Sequence, residues 1–419
     1  MVKYWVERSG NWSDNTNHWS DSSGGSPGAT APGASDDCVF DSSSGSPPFT
    51  VTVDTTVTIL SMDWSTVLAG SKSLARTSGL VSVTGNVTFA SGVSVTNTSF
   101  AFSTPSGNTS IFNPNGATMS GLTWSINLPA ADSTVKLAGN FTKGGTNGIN
   151  IVRGIFDTDG YDITTTDFFS QPVSAGLATL YLRDSIIQIG TSSANGILIN
   201  SDTILDAGTS TFVIRSISNG AQITLGGHTY NKIQLSGGSA ANPTDFIDQG
   251  YTIAELIIDA GKAAGFEPSV TESYITTLTA IGTSGSHIKI TYKTPGTAGT
   301  YALCITTNNV DYADIDYLDA SCSANPIINP HGIDNGNNTN VIFAHWWEGI
   351  EGTFYKKPQV DSIISSKPQV DVVSISKPQV DNIETFKPPA GIPGALDEVP
   401  KVANVITQKP PVSAIISYN

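Results

Sequence analysis

Between Phe49 and Phe343 the chain repeats one local pattern: short runs of alternating apolar and small polar residues, each closed by glycine, asparagine or serine, with no helix-period segment among them. Phe49-Thr-Val-Thr-Val, Leu80-Val-Ser-Val-Thr, Gly92-Val-Ser-Val, Ile186-Ile-Gln-Ile, Ala221-Gln-Ile-Thr-Leu and His287-Ile-Lys-Ile-Thr are examples. Period-two alternation bounded by turn formers marks half-buried strands, so an all-β fold is expected. So long a series without a clear linker favours a β-solenoid, a parallel β-helix-like stack in which interior Ile, Val, Leu and Phe of one turn lie on those of the next. Tandem β-sandwiches are the alternative, because they produce the same local pattern.

Composition agrees with a turn-dense β protein. Gly numbers 41 and only 13% of residues are charged, so the surface is built mainly from hydroxyls and amides. The formal charge of −15 is unevenly placed. From Ile350 onward seven Lys balance seven Asp/Glu, and the acidic excess belongs to the residues before it. An acidic body argues against nucleic acid or an anionic membrane as a partner, since either needs a basic face. Cys38, Cys304 and Cys322 form no C-x-x-C and leave an odd one, so neither a disulfide framework nor a zinc site is expected, and assembly in a reducing cytoplasm is compatible. The start, Met1-Val-Lys-Tyr-Trp-Val, lacks the pattern of a secretory signal.

Four regions follow from the pattern. Residues 1–48 form a Trp-rich amino-terminal cap, 49–250 the solenoid body, 251–349 a β region closing the body, and 350–419 an extended tail. In the cap Trp5, Trp12 and Trp19 are seven apart, but the intervening Gly, Asn and Ser contradict a helical seam. Their rings are expected to pack over the open end of the following strands, as the terminal unit of a stacked architecture must. The run Tyr4-Trp-Val…Ser9-Gly-Asn-Trp-Ser-Asp…His18-Trp-Ser…Pro32-Gly-Ala-Ser-Asp-Asp-Cys-Val-Phe-Asp resembles the amino-terminal signature of a broad family of β-solenoid proteins of tailed bacteriophages and environmental bacteria. Gly154-Ile-Phe-Asp-Thr-Asp-Gly-Tyr-Asp-Ile, Gly227-His-Thr-Tyr-Asn-Lys-Ile-Gln-Leu and Asp311-Tyr-Ala-Asp-Ile-Asp-Tyr-Leu-Asp extend the resemblance over most of residues 1–345. It implies a solenoid fold and a place in a phage particle.

The tail has its own repeat. Lys-Pro-Gln-Val-Asp-x-[Ile/Val] recurs every ten residues, placing Pro358, Val360 and Ile363, then Pro368, Val370 and Val373, then Pro378, Val380 and Ile383 at equivalent positions. The aliphatic pair returns as Val402 with Val405 and as Val412 with Ile415. Each proline forbids helix continuation and removes a donor, so the units read as short extended segments. Regularly placed Val and Ile suit docking along another surface by strand addition better than a bare linker.

Chemistry-bearing constellations are sparse. Asp157-Thr-Asp-Gly-Tyr-Asp reads as an Asx turn, because Phe168 stands where a calcium loop needs a bidentate Glu. Asp311, Asp314, Asp316 and Asp319 crowd one alternating run; on a strand Asp314 and Asp316 would share a face, the arrangement a glycosidase pair would need, but a solvated β edge explains them as well and is the expected reading. The five histidines show no metal spacing. No catalytic residue, metal or cofactor is expected. The leading expectation is a non-enzymatic virion structural protein of a tailed phage, exposed on the particle surface as a capsid decoration, head spike or fibre after assembly in the host cytoplasm. Its partners would be other capsid or tail proteins held through residues 350–419, with homo-oligomerisation, a trimer by analogy with fibrous phage proteins. The alternative is a tailspike-type protein that binds or depolymerises a host surface glycan.

Overall fold

A computed structural model describes residues 1–96, 100–120, 124–145, 148–190, 195–215, 221–239, 242–248, 250–268, 271–293 and 300–343. The whole set of expected docking positions lies outside the described residues: Pro358, Val360, Ile363, Pro368, Val370, Val373, Pro378, Val380 and Ile383 of the three full repeats, and Val402, Val405, Val412 and Ile415 beyond them. Every regular element described is a β-strand, and the fold is a β-solenoid. Among the described residues no helix is long and apolar enough to cross a membrane.

Most turns of the stack contribute three short strands, one to each of three faces. On the second face Val51 pairs with Leu74, Leu74 with Val95 and Val95 with Met119; further along, Ile163 pairs with Ile187, Ile187 with Phe212, Phe212 with Ile233 and Ile233 with Leu256. These partners are 21 to 25 positions apart, which is the length of one turn. On the first face the column runs Cys38, Met62, Val87, Phe112 and Leu137. On the third it runs Ile197, Ile223, Phe246, Phe266 and Tyr292. The alternation explains the choice of residues: in Phe49–Val53 the side chains of Phe49, Val51 and Val53 are buried and those of Thr50 and Thr52 are not.

From Thr229 onward the runs of the first two faces fuse into longer strands, Thr229–Leu235, Thr252–Ile258, Ser273–Ile281 and Tyr301–Asp311. Parallel pairing passes residue 250 without a break, Tyr230 against Ile253 and Ile253 against Ile275. The closing β region therefore adds turns to the same stack and is not a separate sandwich.

The corners decide where each turn bends. Asp159, Arg183 and Gly208, one turn apart in succession, take left-handed φ values of 51°, 55° and 54°. A Cβ on Gly208 would come within 2.3 Å of the Arg183 carbonyl oxygen, so this corner tolerates no side chain there. Elsewhere side chains carry the ladder around the bend. The Asn140 carboxamide accepts from the Asp162 amide at 3.0 Å, and the Asp162 carboxylate accepts in turn from the Ile186 amide at 2.8 Å.

Aromatic rings fill the first part of the core. Phe40 stacks on Trp64 at 3.8 Å, Trp64 touches Phe89, Phe89 meets Phe112 edge to face, and Phe112 contacts Trp124. Trp5, Trp12 and Trp19 close this column, each fully buried and each within about 6 Å of Phe40. The cap is held by an antiparallel pair, Trp5 against Trp19, and by parallel pairing of Tyr4 with Val39. His18 lies parallel to the Trp5 ring at 4.6 Å, and the Trp19 indole donates to the Trp12 carbonyl at 2.7 Å. The three tryptophans are packing residues. Trp19→Ala is predicted to cost roughly 3–5 kcal/mol, because the cavity would open at the centre of this cluster. A urea unfolding midpoint measured on the variant and the parent checks it.

Candidate functional site

The acidic run at the carboxyl end of the stack is where the sequence concentrates potential chemistry. The expected single alternating strand does not form. Tyr312 and Tyr317 take left-handed φ values of 48° and 55° and divide the run into the end of Tyr301–Asp311, the strand Ala313–Ile315 and the pair Leu318–Asp319. Each carboxylate is engaged. Asp314 pairs with His287 Nδ1 at 2.7 Å, one turn earlier, and Asp311 pairs with His331 Nδ1 at 2.9 Å, on the following turn. Tyr312 lies between the two imidazoles, stacked on His331 at 4.5 Å and edge-on to His287 at 5.5 Å. Asp316 accepts from the Thr291 hydroxyl and the Tyr292 amide, both at 3.0 Å, and Asp319 from the Ser321 amide at 3.0 Å. The contacts of Asp311, Asp314 and Asp316 tie neighbouring closing turns together, while that of Asp319 stays within its own turn.

Asp157 behaves as the turn residue expected. Its Oδ1 accepts from the Asp159 amide at 3.0 Å, and the Arg183 guanidinium from the next turn grips both its oxygens at 3.1 and 3.0 Å. Burial alone would raise this carboxyl, but the Arg183 fork and the Asp159 amide outweigh it and hold it below the usual range.

Cysteine chemistry differs from expectation. Cys304 and Cys322 form a disulfide, while Cys38 is free and buried. Counting cysteines missed the pair because their proximity comes from the geometry of the turn: Tyr301 pairs with Leu318, which brings the residues that follow them side by side. Cys304 and Cys322 also lie near Glu272, but bonded sulfurs offer no thiolate to a metal.

A second carboxyl group escaped sequence reasoning. Asp245, on the third-face strand Thr244–Phe246, lies over Gly265 of the next turn, and a Cβ on that glycine would meet Asp245 Oδ1 at 2.2 Å. The same oxygen is buried without a hydrogen-bond partner among the described residues. Beside it Glu267 forms an ion pair with Lys293. Burial pushes the Asp245 carboxyl up to about 6, with Lys293 pulling against the shift and Glu267 adding to it. Nothing in a lone Asp between Thr244 and Phe246 announces this; it follows from the glycine one turn away. No family model, curated protein or solved structure matches the chain.

The raised carboxyl has a consequence for stability. Folded Asp245 keeps its proton to higher pH than the unfolded chain does, so between about pH 4 and pH 6 the folded state binds more protons and stability falls as pH rises. Asp245→Asn removes this titration. From pH 4 to pH 6 the stability difference is predicted to move steadily in favour of the variant and to stay level above that range, as read by urea titrations at each pH.

Proposed function

We propose that the protein is a non-enzymatic structural component of a tailed-phage particle, a surface-exposed decoration, head spike or fibre anchored through residues 350–419. The observation that carries this reading is the unbroken rung-to-rung pairing of the body, in which Asp311, Asp314 and Asp316 of the acidic run are spent on inter-turn contacts. A stack of this kind is a spacer: each added turn extends it by about 4.8 Å with no hinge.

The tail complements it. Ten-residue repeats present the same Pro and Val/Ile positions again and again, which suits a shell offering equivalent sites, and linking weak contacts multiplies their joint affinity. The Cys304–Cys322 bond fits a protein whose working life is outside a reducing cytoplasm, forming after release of the particle. Homo-oligomerisation on the particle belongs to the same reading.

Particles assembled with a chain lacking residues 350–419 are predicted to carry at least about tenfold less of the protein than particles with the full chain, since avidity of this kind contributes 10²-fold or more. Quantitative mass spectrometry of purified particles measures it. Unchanged incorporation would remove the assembly role of the tail.

A further inference from the structure

A recess of about 670 Å³ opens on the body where the third face turns into the first. Its volume lies within the ~300–1,000 Å³ typical of small-ligand clefts. Its floor consists of outward residues of successive first-face strands: Asp37 beside Ser61, and Asp63 beside Thr88. Asn86 and Thr109 continue it toward the next turn.

The hydrogen-bonding capacity of these groups is only half used. Asp37 accepts the Ser61 hydroxyl through Oδ1, and Asp63 accepts the Ser65 amide through Oδ1 at 2.7 Å, so each keeps a second carboxylate oxygen. Asn86 spends its carbonyl oxygen on the Ile111 amide at 2.8 Å and retains both amide donors. The recess thus offers strong acceptors, amide donors and hydroxyls, while Leu60, 40% exposed, and Pro105 add apolar surface.

Among the described residues the lining contains no Lys, Arg or His, and the chain carries a formal charge of −15. Phosphates, sulfates and uronic acids are therefore repelled. A lysine-rich peptide would be attracted by charge alone, but two partly committed carboxylates among six neutral polar side chains form a poor ion-pairing surface. Neutral sugar hydroxyls fit better, because each can donate to a carboxylate and accept from an amide, and the C–H faces of the ring can rest on Leu60 and Pro105. The groups stand on strands already fixed by the ladder, so binding orders little.

We propose that this recess binds a short neutral oligosaccharide, without cleaving it. Binding here is independent of how the tail attaches, so either reading can fail alone.

The test is titration of the full chain with neutral oligosaccharides of hexoses, 6-deoxyhexoses and N-acetylhexosamines, alongside uronic-acid oligosaccharides and an oligolysine peptide, by saturation-transfer NMR and calorimetry. At least one neutral oligosaccharide is expected to bind. Asp63→Asn and Thr88→Val, both close to isosteric, should each weaken it by about tenfold or more, because they remove hydrogen bonds to the ligand. Asp202→Asn, an exposed change outside the recess, should leave binding unchanged. Circular dichroism and unfolding midpoints confirm that the variants fold. The proposal is overturned by a panel with no neutral binder, by binding that ignores both recess substitutions, or by preference for the acidic saccharides or oligolysine.

Discussion

The parallel hydrogen-bond ladder between one turn and the next is the constraint on which the rest of the structure depends. It fixes which residues lie over which, and the side chains follow. Because the partner of an inward residue is 21 to 25 positions away, apolar side chains form columns such as Val51, Leu74 and Val95, and no turn can bury its own face alone. The same rule applies outside. Asp314 meets His287, and Arg183 meets Asp157, because the ladder places them on neighbouring turns. Individually such surface pairs contribute little, on the order of 0–1 kcal/mol, but they also fix the register of each corner.

A ladder has two ends, and exposed strand edges invite further pairing. At the amino end the chain uses three tryptophans and a short antiparallel pairing that turns the backbone out of register with the stack. At the carboxyl end the later turns are tied by a disulfide and by the two His–Asp pairs. The described stack is thus covered at its amino end by packing and tied in its later turns by cross-links. Such a body is compatible with the proposed attachment through the repetitive tail and the proposed recognition on the flank of the stack.

The strands were legible because alternation is a local signal. Phe49–Val53 could be read directly, and the cap tryptophans were recognisable from the residues between them. The length of the turn was not, because only the apolar character of inward positions is constrained, and Val, Leu, Met, Ile and Phe replace one another along the second-face column. The acidic run was misread as one strand because its corners are Tyr312 and Tyr317, residues with no preference for left-handed φ; the neighbouring turns impose that conformation. Cys304 with Cys322, Asp245 over Gly265, and the recess around Asp63 and Thr88 all arise between residues on adjacent turns. Such features appear only once the register of the stack is known.

A single continuous stack runs from the cap to the closing turns, and hydrogen exchange of the native full-length chain, followed peptide by peptide with mass spectrometry, distinguishes it from tandem domains. Slow exchange is expected in the inward strands of every turn between residues 49 and 343, including those on both sides of residue 250, with fast exchange confined to the corners. A fast-exchanging segment spanning a whole turn inside this range, dividing the protected strands into independent blocks, would contradict it and indicate tandem domains joined by a linker.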